Sequence, residues 1–409
     1  MGKTNAQINV LCIGAGIEQL SAIQIAKQMG LNVTAIDGNH DAIGLRAADR
    51  GIVMDLQNTT KIIKLAKELN IKCVLPVPLG AILTTVGAVN DALGLKGISE
   101  AAAKVCTDKL LTRKTLAEAG LPTPKCIESS DEKSLINATE NIGYPVVVKP
   151  RYGSGSQGVF VARDKVELLQ WLPWHLEQRQ KCKEPDKSLV ESLILGKEVG
   201  IDSVITNNVH SIILIRDKEV TELPFRLPYA YLSPTTLPKL MQQNINEILA
   251  KACMALSLEN CILHADIIVN NYGEIFILDI SGRPSGFNIS AKMVSVATGV
   301  EIIDKAIQMA LGYPASFTGK SHQNGAVLRM LAAPKGRFLA IEGIVKTRHI
   351  PGVVDVESFL EPGEMITERR TGTTGYRNGY ILTFGKTREE ADVIWHQAAQ
   401  KIKFYMECN

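Results

Sequence analysis

The sequence predicts a mixed α/β protein that begins with a doubly wound parallel sheet and continues as α+β structure. Strand and helix signals alternate through the first 100 residues, as in INVLCIG (8–14), a helix over 19–29 and NVTAID (32–37). Such alternation is typical of a Rossmann-like unit. The chain of 409 residues is also too long for one compact core, which favours two or three domains.

The later elements follow from periodicity and from helix-capping and turn signals. Helices are expected over 59–70, 99–120, 165–180, 237–258 and 291–311, with a closing helix from Thr387. Strands are expected at CVLPVP (73–78), PVVVKP (145–150), GVFVA (158–162), SLVESLI (188–194), VGIDSVIT (199–206), VHSIILI (209–215), CILHADIIV (261–269) and EIFILDI (274–280). A polar linker, KCKEPDK (181–187), precedes SLVESLI.

Composition narrows the function classes. Lys and Arg total 45 against 42 acidic residues, and no basic run or acidic tail is present, so nucleic acid is not an expected partner. The eight cysteines are scattered without a C-x-x-C, which favours buried thiols in a reducing compartment over a disulfide framework or zinc site. The sequence shows neither a signal peptide nor a membrane span, so we expect a cytoplasmic protein without a membrane partner.

A glycine-rich turn, IGAGIEQLS (13–21), follows the first strand and opens the first helix. This is the setting of a dinucleotide-binding fingerprint, and Asp37 ends the second strand near the place of a ribose-binding acid. The third glycine position, however, holds Gln19, which would keep the helix and a pyrophosphate apart. Gly14 and Gly16 suit any tight turn, so the sequence disfavours NAD binding.

A stronger signal is YPVVVKPRYGSGSQGVFV (144–161), in which an apolar strand ends on Lys149 and a glycine-rich loop follows. Glycines allow backbone N–H groups to close over phosphate oxygens, and the lysine can reach the same phosphates as a point charge. The alternative is a plain hairpin with a mobile turn and an exposed lysine. The pattern favours the phosphate site, although no G-K-[ST] opens a helix and the loop is not a Walker A motif.

The segment LVESLILGKEVGID (189–202) places Glu191 and Glu198 on either side of a turn at Gly196. A short extended segment of this kind can offer backbone groups to a flat base edge, and Glu198 can accept a hydrogen bond from a ribose hydroxyl. Read alone, the segment is an ordinary strand–turn–strand with exposed acids.

HADIIVNNYGEIFILDISGR (264–283) predicts a β-hairpin around the turn NNYGE. Asp266 is expected to start the first strand and Asp279 to end the second, so antiparallel pairing brings both carboxylates to the same end of the hairpin. Such a pair repels unless a cation lies between them, as when Mg²⁺ is held with phosphates. Arg283 adds a guanidinium for a phosphoryl group. The local pattern fits equally well a turn capped by Asp279 and paired with Arg283.

Taken in order, these segments resemble the ATP-grasp superfamily over almost the whole chain. The resemblance includes TDKLLTRKTLAEAGLPTP (107–124), YPVVVKP with its glycine-rich flap, VESLILGKE and the hairpin ending in DISGR. It continues through SGFNISAKMVSVATGVEIIDKAIQMALG (285–312). NGYILTFGKTREEA (378–391) is similar to the closing segment of L-amino acid ligases and of the biotin carboxylase-like group. The order and spacing of these motifs together are specific.

The resemblance implies a Rossmann-like N-terminal domain over 1–108, a small ATP-grasp lobe with the flap over 109–195, and a large lobe with the closing segment over 196–409. ATP would lie between the lobes, and the first glycine turn would belong to the second-substrate side. The implied reaction phosphorylates a carboxylate to an acyl phosphate, which an amine converts to an amide with release of ADP and phosphate. The implied cofactors are ATP and Mg²⁺, with Mn²⁺ as a substitute.

The resemblance also assigns roles to residues. Arg283 would stabilise the transferring phosphoryl group, Lys149 would contact the phosphates, and the metal ligands would be Asp266, Asp279 and Ser281. The nucleotide would be bound by Lys109, Lys149, Gly153, Ser154, Gly155, Ser156 and Gly158 at the phosphates, by Glu191, Leu193 and Ile194 at the adenine, and by Glu198 at the ribose.

One departure from the family pattern concerns the metal. The family usually has Glu-x-Asn-x-Arg where this chain has Asp279-x-Ser281-x-Arg283. Asp is one methylene shorter than Glu, and a serine hydroxyl is a poorer Mg²⁺ ligand than an amide carbonyl. Three alternatives follow: a working site with altered metal preference, a slow enzyme, or an ATP-binding relative without turnover. Retention of Lys149, Glu198 and Asp266 together with Arg283 favours a working enzyme.

The resemblance leaves the substrates open. The main expectation is a carboxylate–amine ligase acting on small molecules, and the alternative is a biotin carboxylase-like or purine-pathway enzyme that activates bicarbonate or formate. Specificity is expected from the first domain and from LPFRLPYAYLSP (223–234), where Arg226 is a candidate for binding a carboxylate, although a structural role fits it equally well. A homodimer is common in such ligases.

Overall fold

The N-terminal part is a parallel sheet covered by helices. The computed structural model describes residues 7–77, 80–180, 186–287, 289–319 and 324–407, without the side chains of 373 and 374. The four strands run in the order β3-β2-β1-β4, all parallel, which confirms the Rossmann-like prediction. The elements are β1 Asn9–Ile13, α1 Ile17–Gln28, β2 Asn32–Asp37, α2 Ile43–Ala47, β3 Arg50–Val53, α3 Thr59–Glu68, β4 Cys73–Val74, α4 Ile82–Leu93 and α5 Glu100–Thr107.

Two predictions in this part need correction. The strand expected over 73–78 is limited to Cys73–Val74, and Pro76, which has no N–H to donate to a ladder, follows it. The helix expected over 99–120 is divided at Asp108, whose backbone is extended and whose side chain caps the next helix by accepting from the N–H groups of Leu110 and Leu111. Asp108 therefore ends one helix and begins another.

A four-stranded antiparallel sheet with its own hydrophobic core follows, in the order β5-β8-β6-β7. Its core packs Val148, Phe160 and Val190 against helix residues such as Leu135 and Leu168. The elements are α6 Lys109–Glu118, β5 Cys126–Ser129, α7 Glu132–Ile142, β6 Val146–Pro150, β7 Phe160–Ala162, α8 Lys165–Gln180 and β8 Ser188–Ser192. Most of the linker predicted over 181–187 lies outside the described residues.

The rest of the chain is organised around an eight-stranded sheet in the order β13-β12-β9-β10-β11-β14-β18-β16. Its first elements are β9 Gly196–Thr206, β10 Val209–Val220, β11 Pro228–Ser233, α9 Lys239–Ala255, β12 Cys261–Asn270, β13 Ile275–Ser281, a π-helix Ile289–Met293, α10 Val294–Thr298, α11 Ile302–Ala310 and β14 Gly325–Met330. The helix expected over 291–311 is interrupted at Gly299, which adopts a left-handed φ of 76° and ends α10.

The C-terminal part completes this sheet and adds a small one of its own, β17-β15-β19. Its elements are β15 Gly336–Glu342, α12 Ile344–Arg348, β16 Val353–Glu357, β17 Met365–Ile366, α13 Gly372–Arg377, β18 Tyr380–Gly385, α14 Arg388–Ala399 and β19 Lys403–Met406. The closing helix begins after Thr387, as the sequence predicts, because the Thr387 hydroxyl accepts from the N–H of Glu390.

The parallel sheet and the eight-stranded sheet share hydrophobic cores. Leu11 and Ile13 of β1 belong to the same buried cluster as Ile201 of β9 and Ile277 of β13. Cysteines at 12, 73, 106, 126, 253 and 261 are free thiols, five of them buried, whereas Cys182 and Cys408 lie outside the described residues. Across the part of the chain that the structure describes, no helix is both long and apolar enough to cross a membrane.

Candidate active site

The hairpin of β12 and β13 brings two carboxylates together. Asp266 lies directly opposite Asp279 in the antiparallel register, and His264 lies opposite Ser281. Residues paired in this way project from the same face of a sheet. The expected proximity of Asp266 and Asp279 is therefore confirmed. Asp266 does not start its strand, however, because the strand begins at Cys261 and its first residues pair with β9.

The carboxylate of Asp266 has a buried cationic partner that sequence reasoning missed. Lys218 of β10 places its Nζ 3.0 Å from Asp266 Oδ1 and 2.7 Å from Glu198 Oε1. Burial favours the neutral form of each group, but their pairing outweighs burial, so the pKa of Asp266 is lowered and the pKa of Lys218 is raised. Arg226 also approaches Glu198, at 3.4 Å. The sequence contains one indication of this position of Lys218. Lys218 lies two residues after Arg216, and alternate residues of a strand project from the same face.

Asp279 differs from Asp266 in its surroundings. Its carboxylate is half-buried, and no hydrogen bond or ion pair to it is present within the described chain. Over those same residues, no group of three or more His, Cys, Asp or Glu side chains could hold a metal ion. Mg²⁺ commonly takes one or two carboxylates from a protein and its remaining ligands from phosphates and water. The two aspartates therefore fit Mg²⁺ bound together with a nucleotide, and do not form a metal site by themselves.

Lys149 lies near the end of β6, as predicted, and is buried against Glu191 of β8. Its Nζ is 2.6 Å from Glu191 Oε2, while Arg113 Nε donates to Glu191 Oε1 at 2.9 Å. Burial lowers the pKa of Lys149 to about 8, with Glu191 acting against this and Arg113 in the same direction. Burial also disfavours the charged form of Glu191, but the two cations hold its pKa at about 2. The cluster of two cations and one carboxylate carries a net positive charge.

Arg113 of α6, which sequence reasoning also missed, connects this cluster to the hairpin. Its Nη1 donates to Ile277 O at 3.1 Å, and its Nη2 donates to Leu278 O at 2.5 Å. These carbonyls immediately precede Asp279. One guanidinium therefore fixes the strand that carries Asp279 relative to Glu191, the partner of Lys149.

The glycine-rich loop after Lys149 is held by hydrogen bonds to distant segments of the chain. Lys109 Nζ donates to Gly153 O at 2.6 Å, and the N–H of Gly372 in the C-terminal part donates to Gly155 O at 2.9 Å. Gly155 has a φ of 66° and Ser156 one of 55°, a conformation that side chains rarely adopt. The loop is thus shaped by left-handed residues and contacts segments far away in the sequence.

The other loop residues lie along the same segment. Ser154 Oγ approaches Gly80 of the N-terminal part, since a Cβ on Gly80 would be 3.7 Å from it. Gly158 has a φ of 70°, and its carbonyl is 2.6 Å from Nδ1 of the buried His175. His175 anchors the far end of the loop to α8.

The segment Glu191–Ile194 joins the four-stranded sheet to the eight-stranded one. The N–H of Leu193 donates to Pro145 O at 3.2 Å, whereas the Ile194 backbone makes no hydrogen bond to the described part of the chain. At Gly196 an added Cβ would lie 2.2 Å from Val269 O, so only glycine fits. The backbone of Ile194 is therefore available to a flat polar ligand.

The turn that carries Arg283 borders the N-terminal part. Arg283 N donates to Ser281 O at 2.8 Å, and its guanidinium Nη1 donates to Pro284 O at 2.7 Å. Glu18 of α1 accepts from the N–H of Phe287 with both carboxylate oxygens at 3.0 Å. The first glycine turn of the sequence thus adjoins the loop that follows Arg283.

A buried network of hydrogen bonds fixes the loop that follows Arg283. Ser285 Oγ and Ser290 Oγ donate to Asp202 Oδ1 at 2.7 Å and 2.8 Å. Arg216 donates to the other oxygen of Asp202 and to Ser285 Oγ, the latter at 2.9 Å. His264 Nδ1 is 2.8 Å from Ser285 Oγ and its ring also faces Asp266. Because buried polar groups that satisfy one another are rigid, the loop has a fixed conformation.

The polar groups of the first glycine turn form hydrogen bonds within the N-terminal part. Gln19 Oε1 accepts from Gly16 N at 3.1 Å, and Gln19 Nε2 donates to Val77 O at 3.0 Å. Asp37 Oδ2 accepts from Ala15 N at 2.7 Å. Asp37 and a backbone N–H of the turn are therefore bound to each other.

Two protein families match the chain. Residues 142–291 match the ATP-grasp domain, and residues 329–407 match L-amino acid ligase C-terminal domain 2. The first range contains Lys149, the glycine-rich loop, Glu191, Glu198 and both aspartates of the hairpin. The chain therefore contains an ATP-grasp domain, the nucleotide-binding unit of ATP-dependent ligases. Its C-terminal part matches a domain of L-amino acid ligases.

Solved structures of the same fold extend over nearly the whole chain. The L-amino acid ligase of Bacillus licheniformis has a TM-score of 0.84 at 21% identity, covering 99% of this chain and 100% of that one. The biotin carboxylase domain of the Hydrogenobacter thermophilus 2-oxoglutarate carboxylase, solved with MgADP, ADP and bicarbonate, has a TM-score of 0.74 at 17% identity. It covers 98% of this chain and 91% of that one. These likenesses establish the fold.

A curated relative matches by sequence. The uncharacterized protein y4rH of Sinorhizobium fredii is 26% identical over 318 residues, which are 78% of this chain. The match spans 65% of the length of that relative, which is just under two thirds.

Proposed function

We propose that this protein is an ADP-forming carboxylate–amine ligase that acts through an acyl phosphate. A carboxylate oxygen attacks the γ-phosphorus of ATP, the bond to the bridging oxygen breaks, and ADP leaves. The amine nitrogen then attacks the acyl carbon, phosphate leaves and the nitrogen loses a proton. The C-terminal match to L-amino acid ligases supports amino acids as the substrate class.

The position of Arg113 is the observation that carries this proposal. Its guanidinium binds Glu191 and the carbonyl of Leu278, so the partner of the Lys149 ammonium is joined to the strand that carries Asp279. Phosphoryl transfer from ATP needs this combination, a cation for the phosphates beside carboxylates for their metal. A structural ion pair alone would not require the Asp279 carboxylate, which has no partner among the described residues.

The proposed roles follow from the contacts. Lys149 binds the α- and β-phosphates, Lys109 binds them after leaving Gly153 O, and the loop Gly153–Gly158 excludes water from the acyl phosphate. Ile194 binds the adenine edge through its backbone. Bound Mg²⁺, held by Asp266 and Asp279 with Ser281 nearby, would neutralise charge on the phosphates.

We also propose that Arg283 stabilises the transferring phosphoryl group and that Glu198 binds the ribose. Mn²⁺ is a proposed substitute for Mg²⁺. Leu193 supports the adenine site through its bond to Pro145. On the same basis, we propose the domain boundaries 1–108, 109–195 and 196–409. We also propose a cytoplasmic location, small-molecule carboxylate and amine substrates, and a homodimer. The biotin carboxylase domain among the similar structures is itself described as a dimer.

The alternative of bicarbonate activation has one supporting observation. The Hydrogenobacter thermophilus biotin carboxylase domain, solved with bicarbonate, shares the fold over 98% of this chain. The two proposals differ in the acid that triggers ATP cleavage, which makes them separable in a single assay.

The test is an ADP-release screen with amino acids, singly and in pairs, and with bicarbonate and formate. Hydroxylamine traps acyl phosphates as hydroxamates. We expect ADP and hydroxamate from the wild type with amino acids. Asp279→Asn should lower ADP release by at least about 100-fold, because several kcal/mol of charge stabilisation are lost.

The matched control is Asp41→Asn, which removes an exposed carboxylate on the N-terminal part and should leave turnover unchanged. ADP release with bicarbonate alone would establish the alternative. ATP binding without ADP release for any acid would show a relative without catalysis. Full activity of Asp279→Asn would contradict the proposed metal site.

A further inference from the structure

Glu18 is a carboxylate at the domain junction that accepts from a single donor among the residues that the structure describes. Both of its oxygens accept from one backbone N–H, that of Phe287, at 3.0 Å. A Cβ on Gly286 would lie 3.6 Å from Glu18 Oε2, so the side chain lies directly against the loop after Arg283. Glu18 belongs to the N-terminal part, and the family match that contains Lys149 and the hairpin aspartates begins far beyond it, at residue 142.

No cationic side chain of the described residues contacts this carboxylate. Within the residues that the structure describes, Glu18 forms no ion pair, and Arg283 acts on it only at longer range. Burial raises the pKa of Glu18, although the Phe287 N–H and Arg283 favour its charged form. A carboxylate that is half-buried, as Glu18 is, loses part of its hydration and is stabilised by a positively charged partner. The site therefore favours binding of an additional cationic group.

Phe287, whose N–H binds Glu18, also contacts elements that border the proposed active site. The ring of Phe287 is 4.8 Å from that of Tyr376 on α13, between ring centroids. A Cβ on Gly372 would lie 3.6 Å from the Phe287 ring and 3.1 Å from Gly155 O of the glycine-rich loop. Aromatic rings and a carboxylate together form a good environment for an ammonium group.

A positive and a negative group lie at opposite ends of the loop after Arg283. Arg283 offers a guanidinium at one end of the 283–287 turn, and Glu18 offers a carboxylate at the other end. An α-amino acid carries a carboxylate and an ammonium group on one carbon. Its carboxylate can therefore lie near Arg283 while its ammonium group lies near Glu18.

We propose that Glu18 binds the α-ammonium group of the amino acid whose carboxylate the enzyme activates. The proposal rests on the proposed ligase function and narrows its first substrate to an amino acid with a free α-amino group. Selection against acids that lack this group would then come from the N-terminal part, because such acids leave the Glu18 carboxylate uncompensated.

Glu18→Gln distinguishes this role from a structural one. The glutamine keeps an oxygen that accepts from the Phe287 N–H, so the loop conformation is retained and only the charge is lost. Glu18→Asp keeps the charge on a shorter side chain and is the second variant. Glu68→Gln, an exposed position on α3, is the matched control.

The experiment measures hydroxamate formation with saturating ATP and hydroxylamine, so that only the activated acid varies. Alanine, leucine and phenylalanine are compared with propanoate, 4-methylpentanoate and 3-phenylpropanoate, which lack the amino group. Each amino acid found active in a screen of the standard twenty is added with its des-amino analogue. The shift in melting temperature caused by each acid, in the presence of a non-hydrolysable ATP analogue, gives a binding readout that is independent of turnover.

We expect Glu18→Gln to raise the KM for the amino acid by about 10- to 100-fold, the effect of losing a hydrogen-bonded charge pair. The kinetics with the des-amino acid should stay unchanged, and Glu18→Asp should be intermediate. The melting-temperature shift caused by the amino acid should disappear in Glu18→Gln only.

An unchanged ratio of kcat/KM between the amino acid and its des-amino analogue in Glu18→Gln would overturn the inference, as would an equal loss for both. Activity of the wild type on des-amino acids alone would overturn it while leaving the ligase function intact. Absence of hydroxamate with every acid would instead refute the proposed function on which the inference depends.

Discussion

At the residue scale, the protonation of Lys149 has a direct kinetic consequence. Burial lowers its pKa to about 8, so the ammonium is charged below that pH and becomes neutral as the pH rises through it. If Lys149 binds phosphates, kcat/KM for ATP should fall about tenfold per pH unit above about pH 8. Lys149→Arg keeps its charge throughout this range because a guanidinium does not titrate there. This variant should lose the alkaline decline, whatever its absolute activity.

The measurement is a profile of kcat/KM for ATP between about pH 7 and pH 10, with hydroxylamine as the acceptor. Lys165→Arg serves as the control, since Lys165 is exposed on α8 and its replacement should leave the decline in place. A decline that persists in Lys149→Arg would assign the titration to another group.

The residues that the sequence could identify are those with a local pattern. Lys149 at a strand end before glycines, and the two aspartates on a hairpin, each lie in one short motif. Arg113 and Glu18 could not be found in this way, and Lys218 shows only the two-residue spacing from Arg216. Arg113 binds Glu191 and Leu278, which are 78 and 165 residues away, and such pairings depend on the tertiary fold.

At the element scale, the packing around β9 leaves no space for a side chain at Gly200. A Cβ on Gly200 would lie 2.8 Å from Cζ and Nη2 of Arg216, which is fully buried and paired with the buried Asp202. Gly200→Ala should therefore lower the free energy of unfolding by about 1–3 kcal/mol through overpacking, because Arg216 cannot leave its partner. Urea unfolding of the purified protein measures this change.

Gly38→Ala is the control for the added methyl group. Gly38 follows β2, is exposed, and its nearest atom to an added Cβ is Met54 O at 3.8 Å. Gly38→Ala should change the free energy of unfolding by no more than about 0.5 kcal/mol. Equal stability of Gly200→Ala and the wild type would show that the Arg216 network is more adaptable than its contacts indicate.

Most elements followed from the sequence because their periodicity is strong, and the misplaced boundaries have physical causes. The helix over 99–120 has continuous helical character, but the side chain of Asp108 caps the second half and also accepts from Arg151 Nε at 2.7 Å. That arginine lies in the loop after β6. A boundary set by a tertiary partner of this kind is invisible to local pattern.

At the scale of the whole molecule, Arg113 joins the two sheets around the proposed nucleotide site. With Lys149 and Glu191 it forms a buried cluster of two cations and one carboxylate. Arg113→Met keeps much of the volume but removes one positive charge, so the cluster changes from a net charge of +1 to neutral. Glu191 would then neutralise Lys149 alone, and the carbonyls of Ile277 and Leu278 would lose their donor.

We expect Arg113→Met to cost about 3–5 kcal/mol of folding free energy, as breaking a buried pair does. Its dissociation constant for a non-hydrolysable ATP analogue should rise at least about tenfold, since the phosphates lose the net positive charge. Lys114→Gln removes an exposed cation from the same helix and should change neither quantity. Lower stability with unchanged nucleotide affinity would restrict Arg113 to a structural role. Loss of both would show that one guanidinium couples the packing of the sheets to nucleotide binding.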